Sequence, residues 1–268
     1  MTKRMPAVAG SFYPANRTEL KDMVEGFIPK NVERQRAFGV ISPHAGYVYS
    51  GAVAGKTFAQ VEIPKQCIVL APNHTGYGSK AAIMTDGAWM TPIGDVPVDS
   101  TIANKLLSKC SIIKNDSTAH IAEHSLEVQL PFMLTLQPEL TIVPICLSHL
   151  RVSECKEIGE AIADLIRSEE KDILVVASSD MNHYESQKRT EKKDNLAIEQ
   201  VLKMDPEGLI NTCSENGITM CGVIPTAVML FAARKLGKKN AKLIAHQTSG
   251  DISGDYDAVV GYAGIIVW

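Results

Sequence analysis

The chain has 268 residues, 45% of them hydrophobic, and a formal net charge of −3; this is enough apolar material for a substantial core, expected here as one domain over 1–268. The weak charge, spread without blocks, offers no grip to nucleic acid or to an anionic membrane surface. No apolar run reaches the roughly 18 residues of a membrane span, the stretch Met1 to Pro6 lacks the apolar centre of a signal peptide, and the six cysteines form no CxxC pair, so a reduced, cytoplasmic protein is expected.

In chain order, a Pro- and Gly-rich arm over 5–14 leads into a helix from Asn16 to Phe27. Asn16 is its cap, and Leu20, Met23, Val24 and Phe27 form one apolar face. Phe38 to Pro43 reads as a strand that releases His44, and Ser50 to Val61, rich in small residues, as a helix packed closely on a sheet. The apolar run Ile68 to Ala71 reads as a buried strand that stops at Pro72 and releases Asn73 and His74. Strand, helix and strand over 38–71 make a βαβ unit with parallel strands, which places His44 and His74 on one sheet edge. A strand over 81–85, a helix from Asp99 or Ser100 to Ser108 and a helix starting at Ser125 come next.

Thr141 to Leu147 reads as a strand in which Pro144 points to an edge or a bulge. An amphipathic helix over 153–168 follows, then the buried strand Asp172 to Ser179, which ends at Asp180-Met181-Asn182-His183. A charged, solvent-facing helix over 188–203, a helix opened by Asp205-Pro206, an apolar helix over 217–236 and closing strands over 241–248 and 258–267 complete the chain. The pattern predicts an α/β fold, a three-layer α/β/α domain with a mostly parallel or mixed sheet.

Three apolar strands thus end on imidazoles, at His44, at His74 and at His183 with Asp180 beside it. Strand mouths of this kind bind ligands in open α/β sheets, and histidine there serves as metal ligand or acid/base. His120 and His124 have HxxxH spacing, but Glu123 stands at the wrong offset for a zincin. His149 and His246 read as structural. Cys67 and Cys146 lie within strands as inert core thiols, whereas Cys221 sits beside Gly222 at a helix start, where the dipole favours thiolate. The chain lacks G-x-S-x-G, G-x-G-x-x-G and P-loop motifs, which argues against serine hydrolysis and nucleotide binding.

Six motifs, in order, carry a family resemblance: Pro6 to Pro14, Pro43 to Gly51, Ala71 to Thr75, Glu123 to Phe132, Ser178 to Tyr184 and Met220 to Gly222. They resemble the Memo family, which takes in the mediator of ErbB-driven cell motility and the bacterial and archaeal proteins called AmmeMemoRadiSam system protein B. That family is similar in fold to LigB-type class III extradiol dioxygenases. The resemblance implies a mononuclear non-haem metal centre with His44, His74 and Cys221 as ligands, Asp180 and His183 beside the metal and His124 lining the pocket. Fe(II) is the implied metal, with copper or zinc as alternatives, and the implied role is redox or oxygenase-like.

A cysteine in place of the dioxygenases' carboxylate ligand departs from their pattern and alters metal preference and potential. The other reading is a non-catalytic binding or signalling module that retains the pocket for a peptide or small acidic ligand. Eukaryotic members of the family resemble signalling proteins that engage phosphotyrosine receptors, but no residue of this chain identifies such a partner.

Overall fold

The computed structural model of the protein describes residues 2–169 and 171–268; Met1, part of the N-terminal stretch read above, and Glu170 lie outside the described residues. The first elements are β1 (Lys3–Arg4), α1 (Arg17–Phe27), β2 (Gly39–Ser42), α2 (Tyr47–Phe58) and β3 (Gln66–Pro72). They are followed by β4 (Ala81–Ile83), β5 (Ala88–Thr91), β6 (Gly94–Pro97), α3 (Ser100–Lys109) and β7 (Lys114–Asn115), with 3-10 turns at Thr118–His120 and Glu127–Gln129. Then come α4 (Leu130–Leu136), β8 (Thr141–Leu147), α5 (Val152–Ser168), β9 (Ile173–Ser178) and β10 (His183–Glu185). The chain closes with α6 (Gln187–Leu202), α7 (Pro206–Glu215), α8 (Val223–Lys235), β11 (Ala241–Thr248), α9 (Gly250–Ser253) and β12 (Val259–Val267).

The large sheet is mixed, in the order β10-β12-β2-β9-β3-β8-β4-β7, with β11 paired to β12. Its centre is parallel, because β9 pairs in parallel with both β2 and β3, and β3 with β8. On either side β12 runs antiparallel to β2 and β4 antiparallel to β8. Helix α2, backed by α1 and α4, packs against β2, β11 and β12, while α8, backed by α5, packs against β2, β3 and β9. This is the α/β/α arrangement the pattern predicted. The central strands are buried on both faces; Ile68, Val69 and Leu70 have no exposed surface, and each such side chain contributes about 1.5–3 kcal/mol.

The βαβ expectation over 38–71 holds for strand direction, but β2 and β3 are not neighbours: β9 lies between them. Asn16 caps α1 by accepting from the backbone N–H groups of Thr18 and Glu19, and Asp99 caps α3 through Ile102 N. Helix α2 begins at Tyr47, three residues earlier than predicted, so it follows His44 almost directly. Its small residues serve α1 as well as the sheet: a Cβ on Gly51 or Gly55 would run into Phe27.

Three further expectations are corrected. Pro144 is in neither an edge strand nor a bulge, since β8 is paired on both sides. Strand β4 ends at Ile83, opposite Ile145, so no strand residue demands the N–H that Pro144 lacks, and its carbonyl accepts from Met84 N. The helix expected from Ser125 begins instead at Leu130, with Pro131 in its first turn, after a 3-10 turn. Helix α6 does not face solvent all round: Thr190, Asp194, Ala197, Ile198 and Val201 are buried.

Candidate metal centre

Each strand mouth delivers its residues for a local reason. Strand β2 ends at Ser42, Pro43 prevents continuation, and His44 turns inward at 2% exposure. Asp180, just past β9, anchors that turn: its Oδ1 accepts from His44 N at 2.7 Å and Ala45 N at 3.3 Å. Its Oδ2 lies 4.0 Å from His44 Nε2. Strand β3 ends at Pro72, and Glu123 anchors the turn that follows, accepting from His74 N at 2.6 Å and lying 2.9 Å from His74 Nδ1. Because β9 separates β2 and β3, the Asp180 mouth opens between the two histidines.

Cys221 arrives from the opposite side, in the irregular segment before α8. Its Sγ lies 3.2 Å from His44 Nε2 and accepts from Asp180 N at 3.2 Å. Gly222 makes this approach possible, because a Cβ there would collide with the Ser178 carbonyl oxygen and the Ser179 side chain. One ligand atom each from His44, His74 and Cys221 falls within 4.8 Å of the others, a spacing that can hold a metal ion. His124 stacks on His74 with ring centroids 4.8 Å apart and meets His44 edge-on at 5.5 Å. His183 is held by Thr219, whose Oγ1 accepts from His183 N at 2.8 Å and whose carbonyl lies 3.0 Å from Nδ1.

The electrostatics suit neutral imidazoles. Burial, then the charges of the neighbouring histidines, pushes the His44 pKa well below its ordinary 6.5. Burial also lowers His124 and His183. Neutral imidazole is the metal-binding form. Burial raises Asp180 to about 7 against the pull of the His44 and Ala45 N–H groups and of His74. Burial, then the Asp180 charge, drives the Cys221 thiol well above its ordinary 9.0. This corrects the expectation of a dipole-favoured thiolate: Cys221 precedes α8, whose N-cap is Gly222, and enclosure outweighs the helix end. Metal uptake at such a thiol must release its proton. The donor set, two imidazoles and one cysteine, fits a soft or borderline transition metal.

A family model described as Memo-like protein matches residues 4–266. The chain belongs to the Memo family. A MEMO1 family protein of Methanopyrus kandleri is 42% identical over 278 residues, covering 98% of each chain. Another, from Methanosarcina acetivorans, is 39% identical over 269 residues and covers both chains in full. Among solved structures, an uncharacterized protein of Escherichia coli K12 is similar at a TM-score of 0.56, over 85% of this chain and 99% of that one. Its sequence identity is 15%, so the likeness concerns the fold alone.

Of the six Memo-family positions named from sequence, His44, His74 and Cys221 converge, Asp180 contacts both His44 and Cys221, and His124 packs on the two histidines. His183 is near enough for its charge to act on His44. Of the other histidines, His246 Nε2 sits 2.8 Å from the buried Asp194, and His149 is exposed. Sequence reasoning missed Glu123, Ser125, Gln129 and Ser178. A signal for the first three existed: Glu123, Ser125, Glu127 and Gln129 alternate strictly with other residues, and all four are buried. Glu123 was weighed only as a zincin base. Burial alone would raise it, but the His74 contact and the donors of Ser125 outweigh burial and hold it at about 2.

Proposed function

We propose that the chain is a mononuclear non-haem metal protein with a redox or oxygenase-like role, its ion held by His44, His74 and Cys221. The observation that carries this reading is the convergence of one ligand atom from each of the three residues within 4.8 Å. Iron is the first choice and copper the second, with zinc as a redox-silent alternative; a bound iron or copper ion would supply open coordination positions and one-electron chemistry. Asp180, buried beside His44 and Cys221, orients a ligand at the centre. His183 takes or gives a proton there through Nε2, since its Nδ1 faces the Thr219 carbonyl. His124 walls the pocket and limits access of water.

Metal analysis after anaerobic purification tests the ligand set. The wild type is expected to carry close to one equivalent of iron or copper, and His44→Ala, His74→Ala and Cys221→Ser each to lose most of it. Unchanged stoichiometry in all three variants would overturn the reading. A second reading, a binding module for a peptide or small acidic ligand, draws support from Tyr77 and Tyr184. These are 64% and 77% exposed and follow His74 and His183 in sequence. Ligand binding that survives complete chelation favours it; binding lost on chelation with the fold intact removes it.

A further inference from the structure

The two candidate histidine ligands are backed by different acceptors. Behind His44, Nδ1 lies 2.8 Å from Ser178 Oγ. A serine hydroxyl has one proton, and this one donates to the Ser125 carbonyl at 2.6 Å. Gln129 Nε2 donates to the same Oγ at 2.8 Å. Ser178 therefore accepts from His44, and the proton of that ring sits on Nδ1. Behind His74 the acceptor is Glu123, 1% exposed. Its Oε1 faces His74 Nδ1 at 2.9 Å, Ser125 N at 2.9 Å and Ser125 Oγ at 2.7 Å, and its Oε2 faces His74 N at 2.6 Å. Backbone and hydroxyl donors crowd both oxygens, so the group accepts as a carboxylate and the His74 ring donates from Nδ1.

The same geometry removes a competing interpretation. His74, Glu123 and His124 also bring ligand atoms within 4.8 Å of one another. A neutral imidazole has one lone pair, however, and with Nδ1 donating to Glu123 the free lone pair of His74 is on Nε2. Glu123 Oε1 is already occupied by three donors. This group is a scaffold for His74 and not a second ion site.

We infer that Glu123 is a positioning residue that locks His74 as its Nδ1–H tautomer and makes it the stronger donor of the two histidines, Ser178 giving His44 the same tautomer with only a neutral acceptor. An acceptor behind a ligating imidazole fixes its orientation and raises its basicity, and an anionic acceptor does so more strongly than a hydroxyl. Glu123 grips both the backbone N–H and the ring of His74, so it sets the loop after β3 and the ring angle together. The effect on metal affinity rests on the proposed function; the tautomers do not.

The test uses the full chain labelled with 15N-histidine, prepared metal-free, with long-range proton–nitrogen correlation to read each ring. Both His44 and His74 are expected as Nδ1–H tautomers in the wild type. Glu123→Gln places an amide NH2 among donors, and in that variant His74 is expected to leave the Nδ1–H form while His44 keeps it. Zinc titration, chosen because zinc is redox-silent, should then show a 10–100-fold weaker affinity in Glu123→Gln and a smaller loss in Ser178→Ala. An Nε2–H tautomer for His74 in the wild type overturns the inference without needing any variant to fold. So does a Glu123→Gln protein that binds zinc as the wild type does. A wild type that keeps the expected tautomers but binds neither zinc nor iron overturns the proposed function instead.

Discussion

At the scale of single residues, the buried histidine that the site does not use illustrates how burial sets chemistry. His120 is 1% exposed and packs edge-on against Trp89, at 5.8 Å between centroids. Burial lowers its pKa from 6.5 to about 4, opposed by the Ala82 backbone, aided by the Arg4 charge and opposed by Asp116 and Glu123. The folded protein therefore keeps His120 neutral down to about pH 4, while the unfolded chain protonates it below about 6.5. Between these values the unfolded state binds more protons, so stability falls as pH falls, and this one group contributes about 3 kcal/mol of loss by pH 4. Above pH 6.5 it costs nothing. Urea unfolding across pH 4–7 should show a shallower acid limb in His120→Phe than in the wild type, since the ring stays against Trp89 but no longer titrates; equal limbs would contradict the assignment. His44, His124 and His183 are lowered too, so the variant retains part of the slope.

At the scale of elements, the site depends on three strand ends and one helix start meeting at the same height. The sequence marks the strand ends well: Pro43 and Pro72 stop apolar runs, and Asp180 follows the buried run of β9. It marks the helix start poorly: the helix expected over 217–236 begins only at Val223, after Cys221, and α8 is buried nearly all round, so periodicity carries no signal there. What places Cys221 is the contact of Gly222 with β9. Gly222→Ala is expected to push the Cys221 segment away from Ser178 and Ser179, with a cost of about 1–3 kcal/mol for the overpacking. The measurable outcomes are a lower unfolding midpoint and loss of metal binding at temperatures where the variant is still folded. A variant with wild-type metal content would mean that the segment tolerates displacement.

At the scale of the whole molecule, the N-terminal arm is tied across the fold by Glu127. That wholly buried carboxylate pairs with Arg4 and accepts from Ala7 N at 2.8 Å, Val8 N at 3.1 Å and Tyr13 Oη at 2.5 Å. Arg4 in turn donates to the carbonyls of His120 and Glu123 and lies over the Trp89 ring. The arm then brings the Phe12 ring to 4.9 Å from His124, which stacks on His74. Removing one member of a buried pair leaves an uncompensated charge, so Glu127→Ala should cost about 3–5 kcal/mol. Denaturant unfolding measures this directly, and a loss below about 1 kcal/mol would show that the arm is held by other contacts.

The sequence by itself determined the α/β class, the parallel direction of β2 and β3 and the family, and named six candidate residues, four of them at strand ends, because these depend on local apolar runs, on the prolines and glycines that stop them and on short motifs. Only the tertiary structure decided that β9 lies between β2 and β3, that Cys221 is enclosed enough to keep its proton, and that Glu123 and Ser178 stand behind His74 and His44. Those outcomes depend on which strand pairs with which and on how closely a helix approaches a sheet. Both are set by contacts between residues far apart in the chain, 177 positions for His44 and Cys221, and local apolar patterns do not specify them.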